Sequence, residues 1–404
     1  MRALVFDTSV PRLGAGFLYT RLTGRPACRC GGPLRFIDVP ERELPGPDWA
    51  RVRTRLGGIC GSDLHMLHLD VSAKSAHFAN REPGGRQPGF PGHETVGEVV
   101  EAGPSASRLR VGQRVVMVPG ISCATLALPP CAFCRDGLYA LCRAREDHPA
   151  PPGLGGGWSE RFLRHESQLF PVPDDVPNEA AVLFEPVACS LHGVLRRPPR
   201  DGERVLVVGA GMIGLGVVSA LRALGGKFDL TVLARHDFQA GRARTLGADR
   251  VVGRGDSYEG LAEALGTRVQ GLRRSNRALR EGFDVIYDTV GRSETLHHAL
   301  RWCQPRGSVV LIGVDLVPGR IDQSPIWLRE IQVIGVLGHG AECRDEARVH
   351  TYQLVCDWYR SGRLSLDGLL THRFPVADYR RAIETASSKS GTGAIKVALE
   401  FPAG

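Results

Sequence analysis

The chain has 404 residues, 43% hydrophobic and 23% charged, with 50 Gly and 27 Pro. That balance excludes wholesale disorder, and glycine without a three-residue period excludes collagen. Lys and Arg exceed Asp and Glu by 51 − 43 = 8, but the excess is scattered arginine and only 6% of residues are aromatic, so no nucleic-acid partner is expected.

At ~150 residues per domain the length suits two or three domains. The first residues, MRALVFDTSVPR, contain no apolar stretch of signal-peptide length. The run 205–221 falls short of a membrane span and carries four glycines, which suits a strand, a turn and a helix. With 11 cysteines and no signal, metal ligation and free thiols are expected rather than a disulfide framework. The expected compartment is the cytoplasm, with no membrane partner.

Up to about residue 190 the chain shows short strand-like runs broken by Gly and Pro, such as ETVGEVVEAG from Glu94 and QRVVMVPG from Gln113. This predicts a mostly β region with long loops. RRPPRDGE, from Arg196, is a plausible border. From Arg204 the pattern becomes strand, helix, strand: RVLVVGAG, MIGLGVVSALRALG, LTVLARH, QAGRARTLG, DRVVG, FDVIYDTVG, SETLHHALRWC and GSVVLIGV. Such alternation specifies a parallel sheet covered by helices. Within 256–281, VQGLRRSNRALRE reads as an exposed helix or loop. Beyond Leu337, TYQLVCDWYRSG and DYRRAIETA read as amphipathic helices and GAIKVALEF as a closing strand.

Gly209-Ala-Gly211-Met212-Ile213-Gly214 is a G-x-G-x-x-G between a predicted strand and helix. There the glycines permit a tight turn, close approach of a pyrophosphate and helix–strand packing. The end of the second strand should choose the ribose. Asp229 lies ~20 residues from the first glycine but starts that strand, so it cannot face a ribose. The strand ends in Ala234-Arg235-His236, a small residue and two cations, which favours NADP; NAD bonded by Asp237 is the alternative.

Cys60, His93, Glu94 and Glu185 supply one thiolate, one imidazole and two carboxylates, a donor set for a zinc with an open position. Taken singly, each has an ordinary packing or capping explanation. Cys131, Cys134 and Cys142, with Cys123 upstream, suit a closed structural zinc site. Cys28, Cys30, Cys189, Cys303, Cys343 and Cys356 are given no role. Trp158 could equally wall a substrate pocket or simply pack.

GICGSDLH, GHETVGEVVEAG, the cysteine lobe, FEPVACSLHG, GAGMIGL and THRFP…GAIKV occur in that order across nearly the whole chain. Together they resemble the zinc-dependent medium-chain dehydrogenases, in the branch of threonine, sorbitol and glucose dehydrogenases. The resemblance implies an α/β protein: a GroES-like, mostly β catalytic domain at 1–195, a Rossmann doubly wound parallel sheet at 196–338, and a return to the catalytic domain at 339–404. It places the active site in the cleft between them and suggests a dimer or tetramer. Carried over by position, Cys60 and His93 are catalytic zinc ligands, with Glu94 and Glu185 alternating as ligand or supporting carboxylate. Ser62 bonds the substrate oxygen, His65 passes its proton to solvent, and Asp63 braces the site. Val290, Gly313 and Val314 join the cofactor-binding set.

Two departures stand out. Seven residues separate Cys123 from Cys131, where the family usually has two; Cys123 is expected to ligate still, with ATLALPP bulging out, and a three-cysteine site is the alternative. The 69–90 loop is also long, and is expected to shape the pocket. The implied activity is hydride transfer between an alcohol and NAD(P). A zinc-free quinone or enoyl reductase would lack the Cys60, His93 and Glu185 set, and a non-catalytic NADP or zinc sensor would not need Ser62 and His65.

Overall fold

Along Trp49–Gly58 apolar or small residues alternate with arginines, so Ala50, Val52 and Leu56 face the core while Arg51, Arg53 and Arg55 are less buried. This strand anchors the first half of the fold. The computed structural model describes residues 1–28, 32–70, 89–148, 151–271, 276–317, 319–344 and 347–402. Most of the 69–90 loop, and Cys30, lie outside them. Contacts divide the chain into Met1–Glu185 with Leu370–Gly404, and Pro186–Leu369.

The first unit begins with an antiparallel pair, β1 (Arg2–Phe6) and β2 (Leu34–Asp38), with helix α1 (Val10–Thr23) between them. The sequence reading missed α1, because Gly14 and Gly16 weaken its helical signal and Val10, Phe17, Leu18 and Leu22 face outward. Next come β3 (Trp49–Gly58), helix α2 (Gly61–His68), β4 (Thr95–Ala102), β5 (Arg114–Met117), β6 (Arg161–His165) and β7 (Leu169–Pro171). Helix α3 (Phe184–Arg196) begins at the end of this stretch, and from Pro186 onward it belongs to the second unit.

The second unit holds β8 (Arg204–Val208), α4 (Met212–Leu224), β9 (Asp229–Leu233), α5 (Asp237–Thr245), β10 (Arg250–Val252) and α6 (Ser257–Leu265). It continues with β11 (Val269–Gln270), β12 (Ala278–Leu279), β13 (Phe283–Asp288), α7 (Ser293–Trp302), β14 (Cys303–Leu311) and β15 (Gln332–Gly335). Its sheet is 6-stranded in the order β10-β9-β8-β13-β14-β15, and every neighbouring pair is parallel. The order reverses between β8 and β13, the switch point of a doubly wound sheet. The expected exposed helix or loop at 269–281 is corrected in its described part: β11 and β12 pair antiparallel, and Arg277 holds the Asp256 carboxylate at 2.6 Å, while 272–275 lie outside the described residues. A second hairpin the sequence reading missed, β16 (Ala341–Arg344) with β17 (Ala347–His350), precedes α8 (Thr351–Arg360).

The chain re-enters the first unit as β18 (Leu370–Pro375), α9 (Tyr379–Ser387) and β19 (Lys396–Glu400). The resulting 7-stranded sheet has the order β18-β19-β3-β4-β5-β7, with β6 also on β3. The last strand of the chain thus lies inside the sheet. On one side Ile59, Leu67, Trp158, Ile383 and Leu399 share a buried cluster that seats α2 and α9. Among the described residues no helix is long and apolar enough to cross a membrane.

Trp158 is fully buried, and its Nε1 donates to the Gly58 carbonyl at 3.0 Å. It packs, and does not wall a pocket. Gly92 has φ +88°, and a Cβ there would run into the Trp158 ring. Gly92→Ala should therefore cost ~1–3 kcal/mol of stability, measured by urea denaturation; an unchanged midpoint would remove this constraint.

Candidate active site and metal centres

Cys60 stands at the N-terminus of α2, where its backbone N–H donates to the Asp63 carboxylate at 2.9 Å. His93 and Glu94 immediately precede β4, and the antiparallel pairing of β3 with β4 brings them beside the end of β3. One ligand atom each from Cys60, His93 and Glu94 lies within 4.8 Å of the others. Gly58 is needed beside them, since a Cβ there would strike the Glu94 side chain. Thiolate, imidazole and carboxylate are the donor types that hold zinc.

Charge organises the surroundings. Asp63 is buried, which raises its carboxyl pKa, and its Oδ1 is 3.9 Å from His93 Nδ1. Burial opposes the imidazolium of His93, but Cys60, Asp63 and Glu185 outweigh it and hold the pKa well above the ordinary value. Glu94 is 1% exposed and meets Lys396, 3% exposed, which donates to both carboxylate oxygens at 2.6 Å. The same ammonium donates to the Ile59 carbonyl at 3.1 Å. Burial of Lys396 works against its charge, yet Glu94, Cys60 and Glu185 keep its pKa raised. Lys396 was missed in the sequence, although a lysine inside the apolar run AIKVAL is itself a sign of a buried partner.

Ser62 and His65 sit three residues apart on α2, both partly exposed, so they share a face just past Cys60. His65 Nδ1 lies 3.6 Å from the Asp70 carboxylate. Glu185 is buried in the first turn of α3.

The sulfurs of Cys123, Cys131, Cys134 and Cys142 also lie within 4.8 Å of one another. Cys123 and Cys142 are 3.7 Å apart, near the ~3.8 Å edge of a tetrahedron with ~2.3 Å Zn–S bonds. The N–H groups of Arg143 and Cys134 lower the Cys131 pKa to about 6, while burial raises that of Cys123. The residues between Cys123 and Cys131 begin with a short 3₁₀ turn, Ala124–Leu126, which takes up the extra length.

In the second unit, Gly209 has φ +92° and Gly214 lies so close to the Gly209 carbonyl that no Cβ would fit. A Cβ on Gly211 would instead meet no protein atom within 4 Å. Gly211 is thus free of internal constraint at the start of α4, where Met212 and Ile213 open the first turn and a pyrophosphate would sit against free N–H groups. Val290 follows β13 and lies against Gly209, and Gly313 and Val314 follow β14, so all three share the edge of the sheet with the glycine loop. Arg235 is exposed past β9, and the ring of His236 stacks on Phe238 at 5.7 Å.

Residues 46–174 match the alcohol dehydrogenase GroES-like domain, and residues 213–351 match the zinc-binding dehydrogenase domain. The chain is 30% identical over 368 residues to L-idonate 5-dehydrogenase of Vitis vinifera, covering 90% of this chain and 92% of that relative. It is 31% identical over 357 residues to sorbitol dehydrogenase of Arabidopsis thaliana, covering 87% and 88%. The solved structure of a zinc-binding dehydrogenase from Sinorhizobium meliloti 1021, bound to NADP, superposes with TM-score 0.68 at 26% identity, covering 91% and 95%. The chain therefore belongs to the zinc-dependent medium-chain dehydrogenases of the alcohol dehydrogenase superfamily. It is a zinc-dependent, nicotinamide-linked oxidoreductase of the alcohol and polyol dehydrogenase type.

Lys396→Met leaves a buried carboxylate without its partner. The expected loss is ~3–5 kcal/mol of stability by urea denaturation, partly restored in the Glu94→Gln/Lys396→Met double variant. A loss below ~1 kcal/mol would show that the pair contributes little.

Proposed function

We propose that the chain oxidises a secondary hydroxyl of a polyol or a related polyhydroxy compound, with NADP as the favoured acceptor. The observation that carries this is the Cys60, His93 and Glu94 triad, within 4.8 Å, directly beside Ser62. The polyol class is supported by relatives named for L-idonate and sorbitol. Cys60 and His93 are the fixed zinc ligands, with Glu94 and Glu185 sharing the carboxylate position. Lys396 occupies both Glu94 oxygens and so favours Glu185 as the direct ligand. Cys123, Cys131, Cys134 and Cys142 hold a structural zinc.

Zinc would supply a Lewis acid for the substrate hydroxyl, and the nicotinamide a hydride acceptor. Ser62 takes the hydroxyl proton and His65, whose Nδ1 lies 3.6 Å from the Asp70 carboxylate, carries it outward. Asp63 keeps His93 and the Cys60 turn in place. Gly209, Gly211, Met212, Ile213 and Gly214 receive the pyrophosphate, Val290, Gly313 and Val314 complete the cofactor-binding set, and Arg235 with His236 selects NADP. Among the described residues no disulfide links the cysteines, which suits the reducing cytoplasm.

A homo-oligomer is also proposed, through the β15 edge of the parallel sheet. Among the described residues that edge has no neighbouring strand on its outer side, and Trp327, Leu328, Val333 and Leu337 are exposed there by 69%, 64%, 39% and 52%. Trp327→Asp/Val333→Asp should convert the oligomer to monomers in light scattering after size exclusion. A wild-type monomer would overturn this.

The activity is tested by reduced-nicotinamide absorbance with NADP and NAD against polyols, sugars, amino alcohols and simple secondary alcohols. Turnover confined to simple alcohols would overturn the polyol assignment, and preference for NAD would transfer the ribose to Asp237. Cys60→Ser should abolish turnover while leaving cofactor binding nearly intact. His65→Ala should slow turnover by ~10²-fold or less, because water can substitute for the imidazole.

A further inference from the structure

The parallel pairing of β9 with β10 ends in register at Leu233 and Val252, and the Ala234 N–H donates to the Val252 carbonyl at 2.9 Å. Both strands therefore release the chain at the same edge of the sheet as the glycine loop after β8. Arg235 follows one of them and Arg254 the other. Arg254 Nε donates to the Arg235 carbonyl at 3.2 Å, which fixes the second guanidinium over the end of β9. Gly253 and Gly255 flank it, so no neighbouring side chain crowds this turn.

Three other arginines of this unit are neutralised. Arg250 meets Asp229 at 3.4 Å, Arg222 meets Asp249 at 2.7 Å, and Arg277 meets Asp256 at 2.6 Å. Arg235 and Arg254 are both exposed, and neither forms an ion pair among the described residues. With Nε engaged on a backbone carbonyl, the two terminal nitrogens of Arg254 are left as a planar fork of donors. Such a fork matches two oxygens of a phosphate monoester.

We propose that Arg254 is a specificity-determining residue for the cofactor, binding the ribose 2′-phosphate of NADP together with Arg235. The inference rests on the NADP preference proposed above and adds a residue from a different strand. A phosphate held by cations from two adjacent strands is gripped from two sides. Removing either cation alone therefore weakens binding without ending it.

The test uses calorimetric titration of the purified protein with 2′,5′-ADP and with 5′-AMP, which differ only in the 2′-phosphate and need no turnover. Arg254→Gln should weaken 2′,5′-ADP by about tenfold and change 5′-AMP by less than about twofold. Arg254→Lys, which keeps the charge but not the fork, should fall between. Equal weakening of both ligands would mean that Arg254 packs on the adenosine or supports the fold, and would overturn the assignment. If the wild type prefers 2′,5′-ADP, and Arg235→Gln removes that preference while Arg254→Gln does not, this inference alone fails. If the wild type binds both ligands alike, the NADP preference itself fails, and the inference with it.

Discussion

The ion pair between Glu94 and Lys396 is the constraint on which the first unit depends. It joins the loop before β4 to β19, residues 302 positions apart, inside a nearly dry interior. An ammonium and a carboxylate are costly to bury separately, so each is held where the other is. The third donation, to the Ile59 carbonyl, fixes the backbone just ahead of Cys60. One side chain thus sets the positions of both segments that carry the triad.

The scaffold around the triad is made of small residues and one large one. Gly58 leaves room for Glu94, Gly92 leaves room for Trp158, and the indole N–H closes the loop on the Gly58 carbonyl. Close packing of this kind resists the drift of a ligand by even a fraction of an ångström. The second unit uses the same residue type differently: Gly209 and Gly214 serve the turn, whereas a Cβ on Gly211 would meet no protein atom within 4 Å.

The parts of this arrangement visible in the sequence were those with a fixed local spacing. The strand–glycine–helix alternation of the second unit, and the CGSDLH and GHE segments, depend on neighbours a few residues away. What stayed hidden was set by distant parts of the chain. Lys396 makes sense only once β19 is laid against β3, and Trp158 only once its ring is under Gly92. Helix α1 was obscured for the opposite reason: its glycines and outward apolar side chains give it little helical pattern of its own. The β11–β12 pair was obscured by arginines, good helix formers that give such short strands no strand pattern of their own.

The position of β19 between β18 and β3 has a consequence for how the protein is made. During synthesis the ribosome delivers Glu185 about 210 residues before Lys396, a delay of roughly 10–40 s at 5–20 residues per second. Over that time the nascent first unit holds Glu94 without its cation and β3 without one of its neighbouring strands. Cys60, His93 and Glu94 exist, but the Lys396 contact that fixes Glu94 does not. The second unit, by contrast, is continuous in the chain, and all its strands have been translated before β18 and β19 are reached. The order of synthesis therefore favours a second unit whose strands are complete first and a Cys60, His93 and Glu94 triad whose Lys396 support arrives later.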